Sequence, residues 1–174
     1  TKTDKISAKA LEQVIQKTKE AIAKHPAAYV DLIATSSEKG IGLDNVRAEI
    51  AKLHLLFDEA GIRQGDRIAL IGRNNPRWCI TYIGTITYGA VIVPILQDFT
   101  PADIIHIINH SESRLLFLGD NFWDVIEEDQ IKQIEAVFSL TDFHAIYERD
   151  GKSLTKFQRD ICLLYTSPSP RDRG

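Results

Sequence analysis

The order of apolar and polar positions in the first third of the chain predicts two amphipathic helices with a strand between them. In residues 7–24 apolar side chains recur at helical spacing, and Ser7 is a favourable N-cap. Residues 29–34 are expected to form a short strand. A polar turn with two glycines follows. The second helix is expected at residues 44–60, with Asp44 as its cap and Gly61 as its stop.

Short apolar runs then alternate with helical patterns. Strand-like runs lie at residues 67–71, 91–95, 114–118 and 137–139. Helical patterns lie at residues 76–88, 100–110 and 120–134. The stretch 88–96 is the most apolar of the chain and is expected to be a buried strand. Strands that alternate with helices imply right-handed crossovers. The predicted fold class is therefore α/β, an incomplete parallel sheet with flanking helices.

Composition and charge narrow the class of protein. The chain is 44% hydrophobic and 26% charged, which predicts a packed core. Its net charge of −3 argues against bulk nucleic-acid binding. No apolar run is long enough to cross a membrane. Cys79 and Cys162 lie far apart, which favours a reducing, cytoplasmic location. The chain begins at Thr1, so its start is expected to be missing or processed.

A series of motifs in residues 54–160 carries a resemblance to a known family. A Gly-Asp turn lies at 65–66, an Asn-x-Pro-x-Trp-like helix start at 74–78 and the run Gly-Ala-Val-x-Val-Pro at 89–94. The run TPADIIHIINHSESRLLFLGD follows. This order resembles the N-terminal region of the adenylate-forming, AMP-binding superfamily, and is most similar to bacterial long-chain fatty-acyl-CoA synthetases. The resemblance implies a partial N-terminal domain of the adenylate-forming fold.

The same resemblance implies a chemistry. Such enzymes activate a fatty acid with ATP and Mg²⁺ to an acyl-adenylate and then transfer the acyl group to CoA, and contact with a membrane surface is compatible with this role. They use a Ser/Thr/Gly-rich phosphate loop, a metal-binding Glu and a Lys of the C-terminal domain. None of these follows Leu118. The chain is therefore expected to be a ligase fragment with no catalytic residue, no bound cofactor and no activity of its own.

Most polar residues of this region are expected to have structural roles. Asn74 and Asn75 suit a helix cap and a turn, and Trp78 and Cys79 suit the core. His106 and His110 have a spacing at which both face one metal ion. No carboxylate or cysteine completes their ligand set, so we expect no metal site there.

Residues 1–53 depart from the ligase pattern and carry two other motifs. Thr1-Lys2-Thr3-Asp4 matches [NT]-K-x-D, and the loop Thr35-Ser36-Ser37-Glu38-Lys39-Gly40 matches a Ser-Ala-type loop. Together they resemble the C-terminal end of an EngB-type ribosome-biogenesis GTP-binding protein. The resemblance implies a helix-strand-helix piece of a P-loop GTPase-like fold. It makes Lys2, Asp4, Ser36 and Ser37 candidate guanine-binding residues.

The resemblance implies how Lys2, Asp4 and Ser37 would recognise guanine. The Asp4 carboxylate would accept hydrogen bonds from guanine N1–H and N2–H, and the Lys2 stem would pack on the purine face. The backbone N–H of Ser37, beside Ser36, would meet guanine O6. The alternative is that both motifs are solvated turns. Because the phosphate loop GxxxxGK[ST] is absent, we expect no measurable GTP binding.

The end of the chain differs from both regions. Residues 162–172, CLLYTSPSPRD, back-translate to a sequence that resembles a transposase adapter used in DNA library preparation. Residues 162–174 are therefore interpreted as translated adapter, the alternative being a disordered Ser/Pro tail. The expected organisation is a chimera: a GTPase-like piece at 1–53, a partial ligase domain at 54–160 and a tail at 161–174.

Three functions remain open on the sequence. The first is a fragment of an ATP-dependent fatty acid–CoA ligase, with fatty acid and CoA as the parent's substrates. The second is a fragment of a GTP-binding protein, with GTP and Mg²⁺ as cofactors and a ribosomal subunit as partner. The third is a small α/β interaction module. The resemblance to the ligase family covers the longer part of the chain.

Overall fold

The computed structural model describes residues 3–24, 34–36 and 38–149, and its elements follow the predicted alternation of strands and helices from residue 67 to residue 118. After a 3₁₀ turn at Thr3–Lys5, the helices are α1 Ala8–Ile22, α2 Leu43–Glu59, α3 Pro76–Tyr88 and α4 Pro101–His110. The strands are β1 Arg67–Ile71, β2 Val91–Ile95, β3 Leu115–Leu118, β4 Ala136–Ser139 and β5 Ala145–Glu148. The predicted α/β class is confirmed.

Helices α1, α3 and α4 begin where the side chain of a capping residue accepts one of the first free N–H groups. Ser7 accepts the N–H of Ala10 at 3.3 Å, and Asn75 Oδ1 accepts that of Trp78 at 2.8 Å. Thr100 caps α4 in the same way. Pro76 and Pro101 occupy the first helical turn, where a missing N–H costs nothing. The predicted starts of α1, α3 and α4 are thus confirmed.

Five strands form one sheet in the order β2-β1-β3-β4-β5. The first three pairings of that order are parallel, as predicted, whereas β5 pairs antiparallel with β4. Sequence reasoning did not predict β5. Because β1 lies between β2 and β3, the chain moves to one side of β1 and then crosses to the other side, and helices fill both crossovers.

The two faces of the sheet are covered by different elements. Ile68 and Leu70 of β1 face a core cluster that includes residues of α2 and α3. Ala69 and Ile71 face a second cluster that includes α4 and the segment after β3. Side chains that alternate along β1 therefore reach opposite layers, and both layers exclude water from the central strands.

The start of α2 differs from the expectation. Gly42, not Asp44, is the N-cap, and its φ of 73° is a conformation that glycine adopts without strain. A Cβ at Gly42 would also lie 2.2 Å from the carbonyl oxygen of Ala34. Asp44 lies inside the first turn and pairs with Arg47 at 3.0 Å. The prediction of Asp44 was wrong because it rested on side-chain capping chemistry, whereas the start of α2 is set by the close approach of the Gly42 and Ala34 backbones.

The helix expected at residues 120–134 is not present. Two short 3₁₀ segments, Asp120–Val125 and Glu128–Gln130, take its place. Ile126, Ile131 and Ile134 are all buried in the second core cluster. The first two are five residues apart, a spacing that places them on different faces of an α-helix. An irregular path lets all three side chains reach the core.

The apolar stretch 88–96 is also not one buried strand. Tyr88 is the last residue of α3, Gly89 ends that helix with φ 91°, and β2 follows. Within the described part of the chain β2 is an edge strand, and Val91 and Leu96 are exposed. Cys79, expected in the core, is exposed on α3. Most of the expected strand 29–34 and all of the tail 161–174 lie outside the described residues.

Candidate functional site

Two candidate guanine-binding residues are in direct contact. The hydroxyl of Ser36 donates a hydrogen bond to the carboxylate of Asp4, thirty-two residues earlier in the chain. Ser36 is fully buried. The contact joins the two motifs that the sequence presents as separate candidates.

The loop around Ser36 is closed by its own backbone. The N–H of Ser36 donates to the carbonyl of Ile41 at 2.9 Å, and the N–H of Lys39 donates to the Ser36 hydroxyl at 3.3 Å. Gly42 then passes close to Ala34, as described above. The sequence analysis assigned no role to Gly42 or to the Lys39 backbone. The two glycines at 40 and 42 were the sequence feature that could have indicated a tight turn here.

The electrostatics of Asp4 follow from this contact. The Ser36 hydroxyl, as the largest cause, holds the pKa of Asp4 below its ordinary value of 3.8. Asp4 is therefore an anion at neutral pH. A carboxylate has more acceptor sites than one hydroxyl uses, so the contact is compatible with further donors such as ring and exocyclic N–H groups. Lys2 and Ser37 lie outside the described residues.

The motifs of the ligase resemblance have structural roles. Asp66 of the Gly-Asp turn accepts the N–H of Arg63 at 2.8 Å and also pairs with Arg114. Arg114 Nε donates to Glu135 at 2.7 Å, and its guanidinium also reaches the carbonyl of Gly61 at 2.9 Å. One arginine thus ties the end of α2, the turn before β1 and the strand region before β4. Sequence reasoning did not single out Arg114.

The Asn-x-Pro-x-Trp-like start of α3 is likewise structural. Asn75 caps the helix, and Trp78 is half-buried and stacks on Tyr82 with ring centroids 5.4 Å apart. Trp78 packs against the first core cluster without being fully buried, so the expected core role is confirmed in part. Within α3, Gly84 lies against Leu53, and a Cβ there would approach Leu53 Cδ2 to 2.7 Å. The small residue permits the close packing of α3 on α2.

Two further observations concern metal ions and membranes. In residues 3–24, 34–36 and 38–149 no three His, Cys, Asp or Glu side chains are grouped to hold a metal ion. His106 and His110 stack on each other with ring centroids 5.7 Å apart and are exposed.

None of the helices described above is long and apolar enough to cross a membrane.

These features define the class of protein. A mostly parallel sheet, a Gly-Asp turn, an Asn-capped helix and a Gly-Ala-Val-x-Val-Pro strand in this order are those of a partial adenylate-forming domain. The sequence model of the family described as AMP-binding enzyme matches residues 19–167. The chain belongs to that family. The match begins upstream of residue 54 and so extends into the segment that resembles a GTP-binding protein.

Relatives of both kinds are found among known proteins. Fatty acid–[acyl-carrier-protein] ligase ScoC of Streptomyces coeruleorubidus is 29% identical over 113 residues, which is 65% of this chain and 20% of ScoC. The probable GTP-binding protein EngB of Bartonella tribocorum is 54% identical over 50 residues, which is 29% of this chain and 23% of that EngB. The chain thus spans about a fifth to a quarter of the length of these relatives.

Solved structures show the same fold. Anthranilate CoA ligase AuaEII in complex with anthranoyl-AMP matches 85% of this chain and 26% of its own, with a TM-score of 0.58 and 16% identity. Coronafacic acid ligase of Pectobacterium brasiliense, as its R395G mutant, matches 70% of this chain and 25% of its own, with a TM-score of 0.55 and 22% identity. At these identities the likeness concerns the fold alone.

Proposed function

We propose that this chain forms part of the N-terminal scaffold of an ATP-dependent ligase that activates a fatty acid as its acyl-adenylate and transfers it to a thiol. The thiol is that of CoA, with the carrier-protein thiol named for ScoC as the second candidate acceptor. ATP and Mg²⁺ are the implied cofactors of the parent, which we assign to the cytoplasm, where ATP and CoA are found. The observation that carries the proposal is the ordered series of motifs, which form the turn before β1, the start of α3 and strand β2 of one sheet in a member of the AMP-binding family.

The chain alone is proposed to be inactive. The motif residues of its ligase-like part serve caps, turns and helix packing: Asp66 holds Arg63 and Arg114, and Asn75 caps α3. An enzyme of this class must also stabilise the charge that develops during adenylation, which requires donors or a metal at the reacting phosphate. Acid-dependent exchange of pyrophosphate into ATP by the 174-residue chain is therefore expected to equal the no-enzyme background.

A replacement experiment tests the scaffold role. The chain is joined to ScoC in place of the 113-residue stretch that it matches, and fatty-acid-dependent pyrophosphate exchange is measured. Exchange above that of ScoC lacking the stretch is expected. The matched control carries Phe117→Asp, which places a charge at a fully buried core position and should abolish the gain. A folded joined protein without exchange would refute the proposal.

A second candidate function concerns residues 1–53, and the contact between Asp4 and Ser36 favours it. We propose that this segment derives from a GTP-binding protein and retains part of a guanine-recognition site. The 54% identity to EngB over 50 residues supports this origin. Because no phosphate loop accompanies the site, calorimetry of the chain with GTP and Mg²⁺ should show no binding; a micromolar dissociation constant would contradict this.

A transplant tests guanine recognition directly. Residues 1–53 replace the matched segment of the Bartonella EngB, and the affinities for GTP and ATP are compared. The transplant should keep a preference for GTP, Asp4→Ala should remove it, and Glu12→Ala, on the exposed side of α1, should leave it unchanged. Equal affinity for both nucleotides in the unmutated transplant would overturn the assignment of Asp4.

The boundary near residue 54 is part of the proposal. Among the described residues, all members of both core clusters, partly buried ones included, lie between Ile50 and Tyr147. On α2 the buried residues are Leu53, Leu56 and Phe57, and Ile50 packs beside them, so the helix contacts the core from Ile50 onward. Sequencing one continuous clone across residues 45–60 tests the chimera. An intact natural gene that spans this stretch would contradict it.

A further inference from the structure

Helix α3 has no charged residue after its first turn. Its sequence from Trp78 to Tyr88 is WCITYIGTITY, with Arg77 as the only charge of the helix. A helix at a protein surface normally carries charged residues on its outer face, and one that is apolar all round is normally buried. Helix α3 carries threonines and tyrosines but lacks the charged residues of a solvated outer face, so its composition favours a covered one.

The described part of the chain covers only one of these faces. Ile80, Thr81, Gly84 and Thr85 are buried on the inner side. Cys79, Ile83 and Ile86 have the spacing i, i+4 and i+7 and so share one outer side. All three are exposed, Ile83 by 44% and Ile86 by 50%. These three residues are called the outer α3 face below.

The neighbouring helix shows what a solvated face looks like in the same chain. The exposed positions of α2 include Asp44, Arg47, Asp58 and Glu59, and Arg47 forms an ion pair with Asp44 at 3.0 Å. The outer α3 face has no such side chains. Ile83 and Ile86 are about half exposed on a helix that has no charge after Arg77, and an exposed apolar patch of this kind is typical of a contact surface.

We propose that the outer α3 face is the surface against which the rest of an adenylate-forming ligase packs. The inference rests on the proposed function. It is supported by length: the chain spans 20% of ScoC and 26% of AuaEII, so in a protein of that size most of the domain remains to cover this helix. The partner surface is apolar, because Cys79, Ile83 and Ile86 offer no charge and no strong hydrogen-bonding group to a polar one.

The first experiment places charges on the face in two contexts. In the full chain alone, Ile83→Glu with Ile86→Lys should shift the midpoint of thermal unfolding by less than about 4 °C, because exposed substitutions cost little. In the chain joined to ScoC, the same two substitutions should lower the pyrophosphate-exchange activity at least about 100-fold, because they bury two charges in an apolar contact. Ile80→Glu, on the buried side, should unfold the chain in both contexts.

The second experiment uses Cys79 as a probe of coverage. Its alkylation by iodoacetamide is followed by mass spectrometry of the peptide that contains it, relative to the rate in urea. The thiol should react freely in the chain alone and at least about 10-fold more slowly in the joined enzyme, as expected for a thiol removed from solvent. Rapid alkylation in a joined enzyme with full exchange activity would overturn the inference while leaving the proposed function intact.

The remaining outcomes show whether a second copy covers the face instead, and whether the inference fails alone or together with the proposed function. If the chain alone forms a dimer that Ile83→Glu with Ile86→Lys dissolves, a second copy covers the face and the inference is wrong. If the double variant keeps full exchange activity in the joined enzyme, the inference is also wrong. If the unsubstituted joined protein folds without exchange, the proposed function fails, and the inference fails with it.

Discussion

The buried hydroxyl of Ser36 donates a hydrogen bond to the carboxylate of Asp4 and thereby joins the two N-terminal motifs. The hydroxyl stabilises the ionised carboxylate, and this is the main reason that the pKa of Asp4 lies below 3.8. A second bond of the same residue closes the loop, because the Ser36 backbone N–H donates to the carbonyl of Ile41 at 2.9 Å. The charge of Asp4 and the shape of the loop therefore depend on the same residue.

Ser36→Ala is predicted to raise the pKa of Asp4 toward its ordinary value, because the substitution removes the donor that stabilises the anion. A folded-state pKa that is depressed contributes stability above the unfolded-state pKa, and this contribution is lost as the pH falls through the folded-state pKa. Titration of the Asp4 carboxyl carbon by NMR measures the change. Ser7→Ala, which removes only the cap of α1, is the control and should leave the pKa of Asp4 unchanged.

Arg114→Lys is predicted to destabilise the chain by about 1–3 kcal/mol, because lysine cannot reproduce hydrogen bonds to Glu135, Asp66 and Gly61 together. Urea denaturation measures the loss. Burial raises the pKa of Asp66, but the N–H of Arg63 and the Arg114 guanidinium outweigh it and lower the pKa below 3.8. The Asp66 part of the loss should therefore be full above about pH 4 and should fade as the pH falls through its folded-state pKa, whereas the part from the Gly61 carbonyl does not depend on pH.

Arg67→Lys is the matched control for Arg114. Arg67 pairs with Glu112 at 3.3 Å, but the two side chains are 47% and 77% exposed. Solvent screens such a pair, so the expected loss is less than about 0.5 kcal/mol. Equal losses for Arg67→Lys and Arg114→Lys would show that the Arg114 contacts add nothing beyond an ordinary surface ion pair.

Sequence patterns predicted much of the sheet because strand bounds depend on local burial. β1 and β2 match the expected ranges, and β3 and β4 differ by one residue each. The antiparallel strand β5 escaped prediction because its four residues are all only half-buried and show no alternation. The segment after β3 escaped because three buried isoleucines lie at spacings that no single helix face accommodates.

The candidate site was predictable only in part. Motif order singled out Asp4 and Ser36, but their direct contact depends on how residues 34–42 turn, which composition does not encode. Gly42 illustrates the limit, because its role comes from a carbonyl eight residues earlier in the chain. Exposure of Cys79 was mispredicted because an apolar helix pattern does not state how many of its faces are covered.

Thr81→Val is predicted to stabilise the chain by about 1 kcal/mol, because it removes a buried hydroxyl that has no hydrogen-bond partner among the described residues. The valine side chain has nearly the same shape, so packing against the inner side of α3 is kept. Thr85→Val on the same helix is the control. Its hydroxyl donates to the Thr81 carbonyl at 2.7 Å, and its loss should cost about 0.5–1 kcal/mol. Urea midpoints that move the same way for both variants would contradict the prediction.

The outer side of β2 is the edge of the described sheet, and Pro94 lies on it. The N–H of Val91 points inward, because it donates to the carbonyl of Asp66 at 2.8 Å. Successive residues of a strand direct their N–H groups to opposite sides, so Ile92 and Pro94 face outward. Proline has no N–H, which leaves Ile92 as the only outward donor of β2. This edge carries no charged residue, so Pro94 is its main protection against pairing with another strand.

Pro94→Val is predicted to increase self-association of the chain, because it adds an outward N–H and a β-branched side chain to an uncharged apolar edge. Sedimentation velocity over a range of concentrations should show larger species for the variant than for the unmodified chain. Pro101→Ala is the control, because that proline is at the start of α4 and its replacement frees no strand edge. If both variants sediment like the unmodified chain, Pro94 does not protect β2, and the exposed residues of α3 become the main candidates for any association that is observed.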